Sequence, residues 1–137
     1  SGKIFMSMDK TSDLEATLST VTSNNNVTLS QAQIKKFKND PMFGVPVKDL
    51  SSYLNLPQSQ MSEKIKTYGI PTDSINGGMS EFQQWVDAAR QCNDQIKICI
   101  KADQNTPYST VKKVMSELQN MDENRYNLIT SYKKQED

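Results

Sequence analysis

The sequence predicts an α+β fold, in which a small mixed sheet carries two helices on one face and a helical insertion spans about residues 12–68. Three observations lead to this prediction. Residues 95–101 alternate apolar and polar side chains, as a half-buried strand does. The apolar spacing becomes helical after residue 107 and returns to strand character at 125–130. The segment 12–68 shows helical patterns throughout, so the sheet must come from the two ends of the chain.

The first part of the chain is predicted to be one strand followed by helices. Residues 3–8 form a short apolar run that suits a strand. Ser12 begins an S-x-x-E pattern and Ser30 an S-x-x-Q pattern, in which the serine side chain caps the first turn of a helix. The stripe that the first of these helices should bury consists of Leu14, Leu18 and Val21.

Two further short helices are predicted after Pro46 and Pro57. Gly69 is expected in the left-handed position that often follows the last turn of a helix. Residues 72–78 read as a loop, and Ser80 begins the third capping box. The apolar face of the helix that follows consists of Phe82, Trp85, Val86 and Ala89.

The last third of the chain forms one strand–helix–strand unit. Its first strand places Ile96, Ile98 and Ile100 on one face. After a polar turn, Pro107 is expected at the first helical position, because its fixed φ suits that place. The predicted buried stripe of this helix is Val111, Val114, Met115, Leu118 and Met121. Residues 122–124 should end the helix, and a strand should follow at 125–130.

Composition limits the classes of function. At 137 residues the chain should form a single domain, 1–137. Sixteen basic residues balance sixteen acidic ones, which argues against nucleic acid as the main partner. Without histidine the chain lacks the commonest general base and most zinc sites, so we expect no enzyme, cofactor or metal. Cys92 and Cys99 either form a disulfide or stay independent, and the mid-strand place of Cys99 favours independence.

Few residues are candidates for chemistry. Asp103 follows a strand and precedes a helix, where an active-site acid often lies, but it can equally satisfy N–H groups of the turn. Asp73 and Asn76 could bind a cation or simply form their loop. Tyr108 is expected to pack the helix start onto the sheet, or else to be an exposed interface aromatic. In each case the structural interpretation is favoured.

The chain resembles the ExbD/TolR family over most of its length. The specific part is an apolar strand, a K-A-D turn at 101–103, a P-Y pair at 107–108, V-K-K-V-M at 111–115 and N-R-Y-N-L-I-T at 124–130. The segments 3–8 and 69–85 match more loosely. Together with F-G-V-P-V at 43–47, the helical middle is similar to the longer ExbD form of Bacteroidetes-type bacteria.

The resemblance implies the periplasmic domain of a single-pass inner-membrane subunit. Such a subunit would sit in an ExbB-like channel, use the proton motive force and pass energy to a TonB-like protein for outer-membrane transport. The family's proton-carrying Asp lies in a transmembrane helix that this chain does not match. The chain begins Ser-Gly without an initiator Met, so we expect it to be a portion of a longer protein.

The resemblance also implies that the domain acts by protein–protein contact as a homodimer. A terminal strand at a sheet edge can accept a strand from a partner. The candidate contact residues are Tyr108, Arg125, Tyr126, Asn127, Leu128, Ile129 and Thr130, with Asp103 and Pro107 as turn residues. The alternative is a TolR-like module that binds peptidoglycan and maintains the envelope; a small hydrolase that uses Asp103 is a third hypothesis.

Overall fold

The computed structural model confirms the α+β class. It describes residues 3–8, 10–40, 42–73, 77–93, 95–103, 105–121 and 126–130. The strands are β1 (Ile4–Met8), β2 (Ile98–Ala102) and β3 (Tyr126–Thr130). The helices are α1 (Thr11–Asn24), α2 (Gln31–Asn39), α3 (Leu50–Leu54), α4 (Gln58–Lys64), α5 (Glu81–Cys92) and α6 (Tyr108–Asn120), with 3-10 turns at Val47–Asp49 before α3 and at Ile65–Thr67 after α4.

The sheet is mixed, as predicted, and has β2 at its centre. The strand order is β1-β2-β3, with β1 antiparallel and β3 parallel to β2. The register sets Phe5 opposite Lys101 and Ala102 opposite Thr130. Because β2 and β3 run in the same direction, their connection must cross the sheet, and α6 provides that crossing.

One hydrophobic core lies on a single face of the sheet. The buried residues of β1 and β2 share that face: Ile4, Met6, Ile98, Ile100 and Ala102. The predicted stripes of α1 and α5 are buried in the same cluster. Its centre is aromatic, since Phe37 stacks on Trp85 at 5.9 Å between ring centroids and Phe43 lies 4.5 Å from Trp85. The helices between β1 and α5 therefore pack onto the core of the sheet.

Two of the three predicted capping boxes are confirmed. The hydroxyl oxygens of Ser30 and Ser80 each accept the N–H of the residue three positions later, and that glutamine side chain accepts the serine N–H in return. The predicted capping box at Ser12 is wrong. α1 begins two residues earlier than the pattern requires and Lys10 is its N-cap, so Ser12 already lies inside the first turn.

The prediction that Pro107 is the first helical residue of α6 is wrong, because Pro107 is the N-cap of this helix. Its φ of −62° suits a helix, but its ψ of 146° is extended, so the helix begins at Tyr108. The prediction for Gly69 is also wrong, because the positive-φ glycine among the described residues is Gly77. Gly69 instead lies close to the start of the chain, because a Cβ there would be 3.1 Å from the Cα of Lys3.

The predicted stripe of α6 is confirmed at three positions. Val111, Val114 and Leu118 are buried, whereas Met121 is half-buried and Met115 is exposed. The prediction that Met115 is buried is wrong, because the core contacts only a narrow face of α6 and Met115 lies at the margin of that face. β2 begins at Ile98, although Ile96 is buried as predicted. α6 ends at Asn120, and the residues 122–124 that are predicted to end it lie outside the described residues.

Cys92 and Cys99 are both free thiols, which confirms that they are independent. Among the residues that the structure describes, no helix is long and apolar enough to cross a bilayer.

Candidate interaction site at the sheet edge

The two edges of the sheet differ. At the outer edge of β1, Met6 and Phe43 exchange two backbone N–H···O=C hydrogen bonds of 2.8 Å each. The Ile70 N–H also donates to the carbonyl of Ile4, at 2.8 Å. These contacts use the backbone groups that an approaching strand would need, so the edge of β1 is closed at its middle and at its start.

β3 forms the other edge. Within the part of the chain that the structure describes, β2 is the sole strand paired with β3, over Tyr126–Thr130. Five of the six predicted contact residues of the last strand therefore form an edge strand, while Arg125 lies outside the described residues. An edge strand presents unpaired backbone N–H and C=O groups to any chain that can pair with them.

Tyr108 is the most exposed large hydrophobic side chain among the described residues. It is 64 % exposed at the first turn of α6, so the expectation that it packs the helix onto the sheet is wrong. Met115 follows two turns later on the same face of the helix and is 36 % exposed. Since α6 begins just after β2 ends, Tyr108 lies at the end of the sheet where β2 and β3 both finish.

The turn between β2 and α6 is held by its backbone and by Thr106. The Asp103 N–H donates to the carbonyl of Lys3 at 2.9 Å, and the Thr106 N–H donates to the carbonyl of Asp103 at 2.9 Å. The buried hydroxyl of Thr106 accepts the Lys3 N–H at 3.0 Å and donates to the Lys3 carbonyl at 3.1 Å. Asp103 therefore acts in the turn through its backbone, and Thr106 joins the turn to β1.

Glu117 is a buried carboxylate that the sequence did not single out. It is 9 % exposed, and the Ser80 hydroxyl lies 3.1 and 3.3 Å from its two oxygens. Burial raises the pKa of the Glu117 carboxyl above its usual value; the Ser80 hydroxyl and the Lys113 ammonium partly offset this, and Asp73 adds to it. The pair joins α6 to the N-terminus of α5, and its two members are 37 residues apart in sequence.

Asp73 forms an ion pair with Lys113, at 2.5 Å between Oδ1 and Nζ. The Lys113 side chain lowers the pKa of the exposed Asp73 carboxyl through a hydrogen bond and its charge. Asn76 lies outside the described residues. No three acidic or cysteine side chains that the structure describes lie close enough together to hold a metal ion. The structural interpretation of Asp73, as a residue that forms its loop, fits this ion pair.

Comparisons with protein-family models, with curated proteins and with solved structures found no match to this chain. The resemblance to ExbD/TolR proteins therefore rests on the residues quoted above. The family, the function, the partners and the location follow from it as proposals.

Proposed function

We propose that this chain is the periplasmic domain of an ExbD-like inner-membrane subunit, part of a complex that uses the proton motive force to energise outer-membrane transport. In this proposal the domain is non-catalytic and acts by binding other proteins. Its partners are a second copy of itself and a TonB-like protein. A transmembrane helix outside this chain would hold the ExbB-like channel subunit and carry the proton.

The observation that carries the proposal is the difference between the two sheet edges. β1 is closed by Phe43 and Ile70, whereas β3 is paired on one side among the described strands. A partner segment in extended conformation could therefore add to the sheet at β3. Main-chain hydrogen bonds would supply affinity there, and the side chains of the added strand would supply specificity.

Tyr108 extends the proposed contact surface beyond the strand. It is a large exposed aromatic side chain at the end of the sheet where β3 finishes. Aromatic side chains are enriched in protein–protein interfaces, because they bury a large area at a small loss of conformational freedom. We place Tyr108 at the rim of the same surface.

The test is amide hydrogen exchange on the intact chain, with and without the periplasmic part of a TonB-like protein. The proposal predicts slower exchange at 126–130 on binding. The amides of β1 serve as the internal control, because the closed edge should not change. Binding that leaves 126–130 unchanged would contradict the proposal.

A second experiment compares two truncations that differ only by the last strand. Removing 131–137 should leave dimerisation and crosslinking to the TonB-like protein intact, whereas removing 125–137 should abolish both. A folded 125–137 truncation that still dimerises and crosslinks would refute the role of β3. Co-sedimentation with purified peptidoglycan, without binding to the TonB-like protein, would instead favour the TolR-like function.

A further inference from the structure

The face of the sheet opposite the core carries a groove. Along β1 and β2 the side chains alternate, so Phe5 and Lys101 point away from the buried face. They occupy directly opposed positions of the antiparallel pair, which puts their side chains next to each other. Phe5 is half-buried and Lys101 is exposed. This open face is a different surface from the edge of β3.

The groove is a cavity of about 320 Å³ that is lined by both apolar and charged side chains. Its apolar lining consists of Phe5, Met42 and Ile65. Its charged lining consists of Lys66, Lys101 and Asp103. A largely apolar cavity with a few charged groups is the usual composition of a small-molecule site, and the volume lies at the lower end of the range for such sites.

The wall formed by the Ile65–Thr67 turn is fixed to β1. The Lys3 ammonium donates to the carbonyl of Thr67 at 3.1 Å. Gly69 packs directly against the backbone of Lys3, and Ile70 donates to Ile4. The wall is therefore already in place in the free protein, so a ligand would not have to order it on binding.

The opposite wall and the floor are fixed as well. The Met6–Phe43 bridge holds Met42 beside β1. The ring of Phe5 lies over Gly44 so closely that a Cβ on Gly44 would be 2.2 Å from the Cδ1 of Phe5. Phe5 thus has a defined position at the bottom of the groove.

The lining of the groove carries more positive than negative charge. Lys101 forms no ion pair with any residue that the structure describes. Lys66 lies 3.4 Å from Glu63, but both side chains are more than two-thirds exposed, and an exposed pair of this kind contributes little. Two ammonium groups against the single carboxylate of Asp103 leave the lining with one excess positive charge.

From these observations we propose that the groove binds a small amphipathic anion: a short apolar chain over Phe5, Met42 and Ile65, with a carboxylate held by Lys101 and Lys66. A second copy of this chain is a poor occupant, because two positively charged grooves would face each other. An uncharged apolar molecule would make no charged contact with the Lys101 ammonium. The inference does not depend on the proposed function.

The test uses three probes with the same chain length and different charge: octanoate, octanol and octylammonium. Each is titrated into the intact, isotopically labelled protein, and backbone NMR shifts are followed. We expect octanoate to shift the amides around residues 5, 42, 65 and 101 and to bind about twofold to fivefold more tightly than octanol, the factor for one exposed charge pair. Octylammonium should bind most weakly.

The matched variants are Lys101→Gln and Lys97→Gln. Both remove an exposed lysine, one within β2 and the other in the residue just before it, but Lys97 does not line the groove. Lys101→Gln should raise the Kd of octanoate about twofold to fivefold, while Lys97→Gln should leave it unchanged. Equal affinity for all three probes, or an equal effect of both variants, would overturn the proposal. Binding of a tetraglutamate peptide at this groove without binding of octanoate would also overturn it, in favour of an acidic protein segment.

Discussion

The substitution Thr106→Val tests whether one hydroxyl joins the N-terminal strand to the turn before α6. Valine keeps the shape of threonine but can neither accept the Lys3 N–H nor donate to the Lys3 carbonyl. A typical intramolecular hydrogen bond contributes about 0.5–1.5 kcal/mol net, so two of them give about 1–3 kcal/mol. The Lys3 carbonyl keeps the Asp103 N–H as a partner, so the loss should fall in the lower part of that range, at about 1–2 kcal/mol.

Urea unfolding followed by circular dichroism measures this loss. The midpoint should fall while the slope of the free energy of unfolding with urea stays unchanged, because the surface exposed on unfolding is the same. In a thermal scan the Tm should drop by about 3–8 °C. Thr110→Val is the matched control, since Thr110 lies half-buried on α6 and should change stability by less than about 0.5 kcal/mol. Equal stability of Thr106→Val and the wild-type protein would refute the reasoning.

Three further predictions concern buried or crowded positions. Because burial raises the pKa of Glu117, the folded state holds the Glu117 proton more tightly than the unfolded chain does. The free energy of unfolding of the wild-type protein should therefore increase through this group as the pH falls from 7 towards 4.5. The urea midpoint of Glu117→Gln should lack this increase. Gly44→Ala should destabilise the protein by about 1–3 kcal/mol, because the added Cβ clashes with Phe5, and it should weaken octanoate binding. Gly77→Ala is the control: Gly77 has open space around it but a φ of 80°, so the substitution should cost about 1–2 kcal/mol and leave octanoate binding unchanged. Trp85→Phe should cost less than about 2 kcal/mol, because the buried Nε1 has no hydrogen-bond partner among the described residues, while Trp85→Ala should cost about 3–5 kcal/mol, both by calorimetry.

The features that the sequence predicted correctly are those set by neighbouring residues. The capping boxes at Ser30 and Ser80 need only a serine and a glutamine three positions later, and both form. Ser12 begins a similar local pattern, yet α1 starts two residues earlier than that pattern predicts. The start of a helix also depends on how the chain leaves the preceding strand, and no local pattern records that.

The features that the sequence could not predict are contacts between distant segments. Phe43 closes the edge of β1, and Thr106 bonds to Lys3 across 103 positions. The alternation of apolar and polar residues predicts where strands lie and which face of each is buried. It does not predict which segment pairs with a strand, or whether the two run parallel or antiparallel. The groove over Phe5 has the same origin, because its lining comes from β1, from the segment around Met42, from the turn after α4 and from the end of β2.

The closure of the β1 edge also limits how large an assembly of this protein can grow. Two copies that paired through β3, related by a twofold axis, would form a continuous six-stranded sheet. Each outer end of that sheet would be a β1 strand already bonded to Phe43 and Ile70. The middle and the start of each β1 strand would then offer no free backbone groups to a third molecule, so we expect edge pairing to stop at the dimer and not to continue into a fibre. The bridge from Met6 to Phe43 thus limits edge-to-edge assembly of this protein to two copies.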